Sequence, residues 1–367
     1  MRRTTSVLWL TATLALGCTT SGIKPGGSGT GNSGGGNTSG GGGNSGAGGM
    51  VKDPTGPTCG MKTFGLQKGI PDLMLVQDKS GSMADMPDGT SCAAGRGRNP
   101  VPPPAGCAAM AKWPQMTAAI NQVVTQTQTT IRWGLKFFPD MGNDQCAVTA
   151  APEVPIADMN AAAITAQIAA TMPNGGTPTR TAVAAASMNL AMLPDTNPKF
   201  ILLATDGLPN CIPGGGSQAS DADGAIQAVT DSFKNGIPVF VVGIGSVAEA
   251  DATLTAMAVA GGEPQTADPK YYPVSSTADL VTVLGTIGGM IGSCSFPLGS
   301  VPPDPTNIAI TANGAKIPND PTHKNGWDYS SPAQTSVQLF GSYCDDAKAG
   351  KLANVQAIFG CPGKIIP

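Results

Sequence analysis

The sequence predicts an α/β fold: a doubly wound, mostly parallel sheet flanked by helices, Rossmann-like in layout, with a small C-terminal β appendage. Three observations predict it. The short runs LMLVQ, KFILLAT and IPVFVVGIG are almost wholly apolar. They lack the in/out alternation of a half-exposed strand, so both of their faces are expected to be covered. Helix-length segments separate them, as parallel strands require of their crossovers. After residue 294 the chain becomes Pro-rich and carries alternating stretches such as NIAIT, SVQLF and NVQAIF.

The elements follow in order. LMLVQ (73–77) is a buried strand, and WPQMTAAINQVVTQT (113–127) is a helix with Pro114 at its start. IRWGLKFF (131–138) is a strand. The stretch around VTAAPEVPI adds an edge strand, where its prolines are tolerated. NAAAITAQIAAT (160–171) is helical with Asn160 as its cap. TRTAVAAASMNLAML (179–193) is an Ala-rich helix leading into the strand KFILLAT (199–205). DGAIQAVTDSFKNG (223–236) is a helix stopped by Gly236, and IPVFVVGIG (237–245) is a strand. Helices at 247–262 and 277–291 flank a short strand at YYPVS.

The N-terminal segment lies outside this fold. Arg2 and Arg3 precede the short apolar run SVLWLTATLALG, a secretory signal over residues 1–17 and too short for a membrane span. LALGC resembles a bacterial lipobox, which makes Cys18 the lipidation site. An ordinary cleaved signal with an incidental Cys is the alternative. Thr19, rather than an Asp, follows Cys18 and points to the outer membrane. Residues 18–58 then comprise the anchor and a Gly/Ser/Asn-rich linker with a typical reach of roughly 30 Å.

The chain has nine Cys. Setting Cys18 aside leaves Cys59, Cys92, Cys107, Cys146, Cys211, Cys294, Cys344 and Cys361, which read as a disulfide framework of an exported protein. Cys92–Cys107 would close a Pro/Gly insert, Cys344–Cys361 the appendage, and Cys59–Cys294 would join the start of the domain to its end. Cys146–Cys211 remains, each Cys following the carboxyl end of a strand. The net charge is −3 and only 12% of residues are charged, so the chain is not basic enough to hold nucleic acid by its phosphates.

Ligands of open parallel sheets sit beyond the carboxyl ends of the strands. Three loops meet there: DKSGS after the first strand, GGTPT (175–179) before the Ala-rich helix, and TDG after KFILLA. Asp78, Ser80, Ser82, Thr177 and Asp206 thus offer two carboxylates and three hydroxyls. Such hard oxygen donors suit Mg²⁺ or Mn²⁺ rather than Zn²⁺. Alone, DKSGSM reads better as a polar turn.

With all three parts in order, the chain resembles the von Willebrand factor type A domain across roughly residues 70–293. That family's metal-ion-dependent adhesion site is a DxSxS loop, a distant Thr and an Asp in a TDG turn. The resemblance favours Thr177 over Thr179, because Thr177 follows the Gly pair directly. It implies a domain at 59–294, a non-enzymatic protein, and an open metal position that takes an Asp or Glu carboxylate from a protein partner. The appendage occupies 295–367.

Rival readings are weaker. Gly243, Gly245 and Ala248 imitate a dinucleotide fingerprint, but on a late strand with no matching acid. A haloacid-dehalogenase-type site needs an Asp where Ser80 stands. A Ser-His-Asp triad would need His323, the single His, from the appendage. There is no GxxxxGK[ST] loop, so no nucleotide is expected. A structural envelope protein with a vestigial site is the main alternative, and a metal-dependent hydrolase a weaker one. The insert 84–112 follows the metal loop and carries Arg96 and Arg98. It reads either as a disulfide-pinned loop or as a border of the ligand site.

Overall fold

The computed structural model describes residues 62–66, 69–93, 102–140, 144–212, 216–245 and 250–360. Cys18, Cys59, Cys361, Arg96, Arg98, Ala248 and the linker lie outside the described residues.

Strand β1 (Lys62–Gly65) precedes a six-stranded central sheet. That sheet holds β2 (Asp72–Asp78), β3 (Arg132–Phe138), β4 (Val154–Ala157), β5 (Lys199–Thr205), β8 (Val239–Ile244) and β9 (Tyr272–Val274). Its order is β4-β3-β2-β5-β8-β9. All neighbours run parallel except β4, the antiparallel edge strand, so the expected mostly parallel α/β class is observed. The strand order reverses direction at β2, which places the β2 and β5 carboxyl ends at the topological switch point. A short hairpin, β6 (Asn210–Ile212) and β7 (Gly216–Ser220), follows β5.

The helices are α1 (Cys107–Met110), α2 (Lys112–Thr127), α3 (Ala161–Ala169), α4 (Thr179–Ala191), α5 (Ala222–Lys234), α6 (Asp251–Ala260), α7 (Thr277–Cys294) and α8 (Ser342–Lys348). Successive strand residues feed opposite layers. Leu73, Leu75, Phe137, Leu202 and Phe240 pack with α2, α3 and α7 through Met116, Ile120, Ile164, Leu284 and Ile287. Met74, Val76, Ile201, Leu203 and Val241 pack with α4, α5 and α6 through Val183, Leu190, Val229, Leu254 and Met257. Period-two side-chain placement therefore buries both faces, and each such aliphatic side chain contributes about 1.5–3 kcal/mol.

Local signals explain several boundaries. Ser276 accepts a hydrogen bond from the Asp279 amide and caps α7. Gly236 takes a left-handed φ of 88° just after α5. Asn160 precedes α3 but does not cap it with its side chain. Its amide instead donates to the carbonyls of Trp133 and Pro155, holding the helix to the β3–β4 edge.

The C-terminal region contains β10 (Ser295–Pro297), β11 (Ile308–Ala312), β12 (Ala315–Ile317), β13 (Gly326–Tyr329), β14 (Ser336–Phe340) and β15 (Gln356–Phe359). They form two antiparallel sheets, β1-β15-β11-β12 and β10-β14-β13. The first of these incorporates β1 from the opposite end of the chain, pairing Lys62 with Phe359. A separate core including Leu66, Phe296, Ile310, Trp327, Leu339 and Phe359 fills this region.

Three disulfides join described residues: Cys92–Cys107, Cys146–Cys211 and Cys294–Cys344. The last corrects two sequence expectations, Cys59–Cys294 and Cys344–Cys361. Cys294 ends α7 and Cys344 lies on α8, whose packing against α7 brings their Cα atoms to 5.2 Å. Spacing along the chain gave no sign that α8 returns to α7. These bridges are consistent with folding in an oxidising compartment. Among the described residues, no helix is long and apolar enough to cross a membrane.

Candidate metal centre

The site begins at the end of β2. Asp78 is the last strand residue, and a 3-10 turn at Gly81–Ala84 follows. Met83 in that turn is fully buried in the sheet–α2 core and anchors the loop from below. The Ser80 amide donates to Asp78 Oδ1 at 2.7 Å, folding the loop back over its own carboxylate. The other Asp78 oxygen accepts from the Thr205 hydroxyl of neighbouring β5 at 2.6 Å.

The three predicted loops converge. Ser80 Oγ and Ser82 Oγ lie 3.0 Å apart, and the Ser82 hydroxyl donates to Asp206 Oδ1 at 2.9 Å. The Gly81 amide donates to the Gly175 carbonyl at 3.0 Å, joining the DKSGS loop to the GGTPT turn. That turn is in turn held to the start of β6: the Thr177 amide donates to Asn210 Oδ1 at 2.6 Å, and the Asn210 amide to the Thr177 carbonyl at 3.0 Å. Thr177 is buried, as are Asp78, Ser80 and Asp206, while Ser82 is exposed. The cluster therefore opens to solvent on the Ser82 side.

Two glycines make the turn possible. Gly175 has a φ of 93°, and a Cβ there would lie 2.6 Å from Pro139 Cγ. A Cβ on Gly176 would meet Cys211 Sγ at 2.7 Å. The Cys146–Cys211 bridge thus packs directly against the turn that presents Thr177, and the Gly176 amide donates to the carbonyl of Gln145 beside it.

The electrostatics are unbalanced around Asp78. Burial and the nearby Asp206 charge raise its carboxyl to about 7, against opposing hydrogen bonds from Thr205 and Ser80. Asp206 has a partner that the sequence reading missed. Lys112 Nζ lies 2.5 Å from Asp206 Oδ2, and both side chains are almost fully buried. A signal for it existed. Lys112 is the first residue of α2, where the helix dipole disfavours a cation and no acid occupies the first turn. A lysine so placed gains nothing from its own helix, and once buried it is stabilised by a carboxylate from elsewhere. Thr205 and Asn210 were also missed, because both act through contacts between segments distant in sequence.

The donor set fits a hard divalent cation. It holds two carboxylates and neutral hydroxyls, and Asp78 makes no ion pair among the described residues. Lys112 pairs with Asp206, and the buried Lys79 acts on Asp78 only at a distance, so Asp78 has no cation in direct contact among the described residues. Among the described residues no group of three or more His, Cys, Asp or Glu could hold a metal, so a metal here would rely on hydroxyls for the rest of its shell.

The glycines of the dinucleotide-like stretch have other uses. Gly243 lies under the Tyr271 ring, and Gly245 lies against the Pro87 backbone of the insert. The Gly245 amide already donates to the Val274 carbonyl. His323 pairs with Asp328 and stacks on Phe340 in the C-terminal region, apart from the five site residues.

No protein-family model matches the chain, and a search of curated proteins finds no match. Among solved structures, it is similar to the PilB minor pilin of Streptococcus sanguinis at 15% identity and a TM-score of 0.45, over 62% of each chain. It is similar to the pilus adhesin SpaC of Lactobacillus rhamnosus GG at 12% identity and a TM-score of 0.44, over 84% of this chain and 44% of that one. It is also similar to the vWF domain of the type V pili tip protein Mfa5 of Porphyromonas gingivalis at 14% identity and a TM-score of 0.42, over 61% of this chain and 96% of that one. The chain thus spans less than two thirds of the pilin and of the adhesin.

Proposed function

We propose that this protein is a metal-dependent binding protein, which takes an Asp or Glu carboxylate of a protein partner at a divalent ion held by Asp78, Ser80, Ser82, Thr177 and Asp206. Mg²⁺ or Mn²⁺ is the ion that suits these donors. The observation that carries the reading is the convergence of two buried carboxylates and neighbouring hydroxyls on one solvent-facing loop cluster. When bound, the ion supplies a positive centre with a position free for an external oxygen. The residues do the rest. Asp78 and Asp206 set the charge, Ser80, Ser82 and Thr177 leave that charge incompletely neutralised, and the exposed Ser82 side gives the partner access. The protein binds rather than turns over its partner.

The wider proposal is a surface-tethered lipoprotein used in adhesion or protein–protein interaction. Cys18 carries the lipid at the outer membrane, and residues 19–58 hold the domain away from the bilayer. Intact mass of the membrane-extracted protein should show an acylated N-terminal Cys18. A soluble product with an unmodified Cys18 would end that part of the proposal.

A second reading is favoured by one observation: Lys112 already supplies Asp206 with a cation. In that case the protein is a structural envelope component with a vestigial site. Capture of surface proteins in Mg²⁺, in EDTA and in excess acetate separates the two. Metal-dependent binding predicts capture lost in EDTA and with Asp206→Asn, and weakened by acetate. Capture indifferent to EDTA and to the substitution supports the vestigial site.

A further inference from the structure

We infer that Lys112 is a tethered counter-ion, which a divalent cation must displace from Asp206 to load the site; this rests on the metal-binding reading above. Four observations support it. Lys112 Nζ and Asp206 Oδ2 are 2.5 Å apart, with 8% and 0% of the side chains exposed. Asp206 is one of the five candidate ligands, and Ser82 engages its other oxygen, so both oxygens are occupied. Lys112 stands at the first position of α2, where the helix dipole opposes it. What holds the ammonium there is therefore Asp206 rather than its own helix.

The fourth observation is how the rest of the residue is fixed. The Lys112 amide donates to the Asp85 carbonyl at 2.9 Å, and Asp85 Oδ1 accepts from the Cys92 amide at 3.0 Å. Cys92 is bridged to Cys107, five residues before Lys112. The backbone is thus pinned on both sides of the insert, and only the long aliphatic stem has freedom to withdraw. Metal-free, the ammonium screens the Asp78–Asp206 pair. A metal competing for Asp206 regains that screening, but must first break a nearly buried ion pair. Lys112 would thereby set a threshold concentration for loading, and would reject monovalent cations, which offer no more charge than the ammonium already there.

The test is calorimetric titration with Mn²⁺ of the wild type, Lys112→Gln and Lys112→Arg, each also melted in EDTA. Close charge pairs couple strongly enough that Lys112→Gln should bind Mn²⁺ about tenfold tighter or more. Lys112→Arg, which keeps the charge, should not gain affinity. In EDTA, Lys112→Gln should melt below the wild type, because the carboxylates lose their counter-ion, and Mn²⁺ should close the gap. Lys112→Met serves in its place if the Gln variant fails to fold. Binding by the variant but not by the wild type would support displacement in its strongest form. Equal affinity for wild type and Lys112→Gln would overturn the Lys112 role while leaving the metal site intact. Absence of binding in all variants would overturn both.

Discussion

Removing the Cys146–Cys211 bridge should lower stability and loosen the metal site together. The two residues are separated by 65 positions, and the chain-entropy relation for such a loop gives about 4 kcal/mol at 25 °C. For a domain of this size, that corresponds to a melting temperature lower by about 2–4 °C per kcal/mol. The effect on the site follows from what lies beside each sulfur. Gln145 accepts from the Gly176 amide, and Asn210 exchanges two hydrogen bonds with Thr177. The bridge therefore joins the two segments that hold the Gly175–Thr177 turn. With Cys146→Ala/Cys211→Ala, the turn that carries Thr177 loses its brace, and Mn²⁺ affinity should fall by about tenfold, the equivalent of roughly 1.4 kcal/mol. Urea denaturation in EDTA measures the first effect, and calorimetric Mn²⁺ titration the second. Lower stability with unchanged affinity would refute the bracing of Thr177. Unchanged stability would refute the loop-closure magnitude.

Three further outcomes are expected. Asp206→Asn should abolish metal-dependent stabilisation, whereas Ser80→Ala should weaken it only in part, since water replaces a neutral hydroxyl. Melting curves with Mg²⁺, Mn²⁺ and EDTA check this, and equal losses in the two variants would contradict it. Asp206→Ala should also destabilise the metal-free protein, by less than the ~3–5 kcal/mol of a fully stranded buried charge, because the Lys112 stem can carry its ammonium toward solvent; urea midpoints in EDTA measure it, and an unchanged midpoint would show that the pair contributes nothing. Burial pushes Glu263 up to about 8 from 4.5, against a smaller opposing contact with Gln338. The folded state keeps a proton that the unfolded chain releases. Stability should therefore fall as pH rises through this window, by at most about 1.4 kcal/mol per unit from this group. Glu263→Gln should remove that part of the slope in urea midpoints taken across the same window, and an unaltered slope would refute the assignment.

The sheet was legible because its signals are local. Runs such as KFILLAT bury both faces, and their apolar composition says so without knowledge of neighbours. Four of the five candidate site residues sit at or just beyond a strand end, so reading the strands also located the loops. What stayed hidden depends on long-range return of the chain. Lys62–Gly65 pairs with Gln356–Phe359 across almost the whole sequence, and neither segment reveals its partner. Cys294–Cys344 depends on α8 packing against α7. Asn160 looked like a cap because Asn favours that position, yet its side chain found carbonyls on β3 and the β4 strand instead. Lys112 was legible in principle, as a cation at the wrong end of a helix, but its partner lies ninety-four residues away.

Metal loading at these five residues is tested by anomalous diffraction from crystals of the protein grown or soaked with Mn²⁺. One strong anomalous peak is expected among Asp78, Ser80, Ser82, Thr177 and Asp206, at roughly 2.0–2.3 Å from the ligating oxygens, with Lys112 Nζ withdrawn from Asp206. Saturating Mn²⁺ with no peak there, and with the Lys112–Asp206 pair intact, would contradict it.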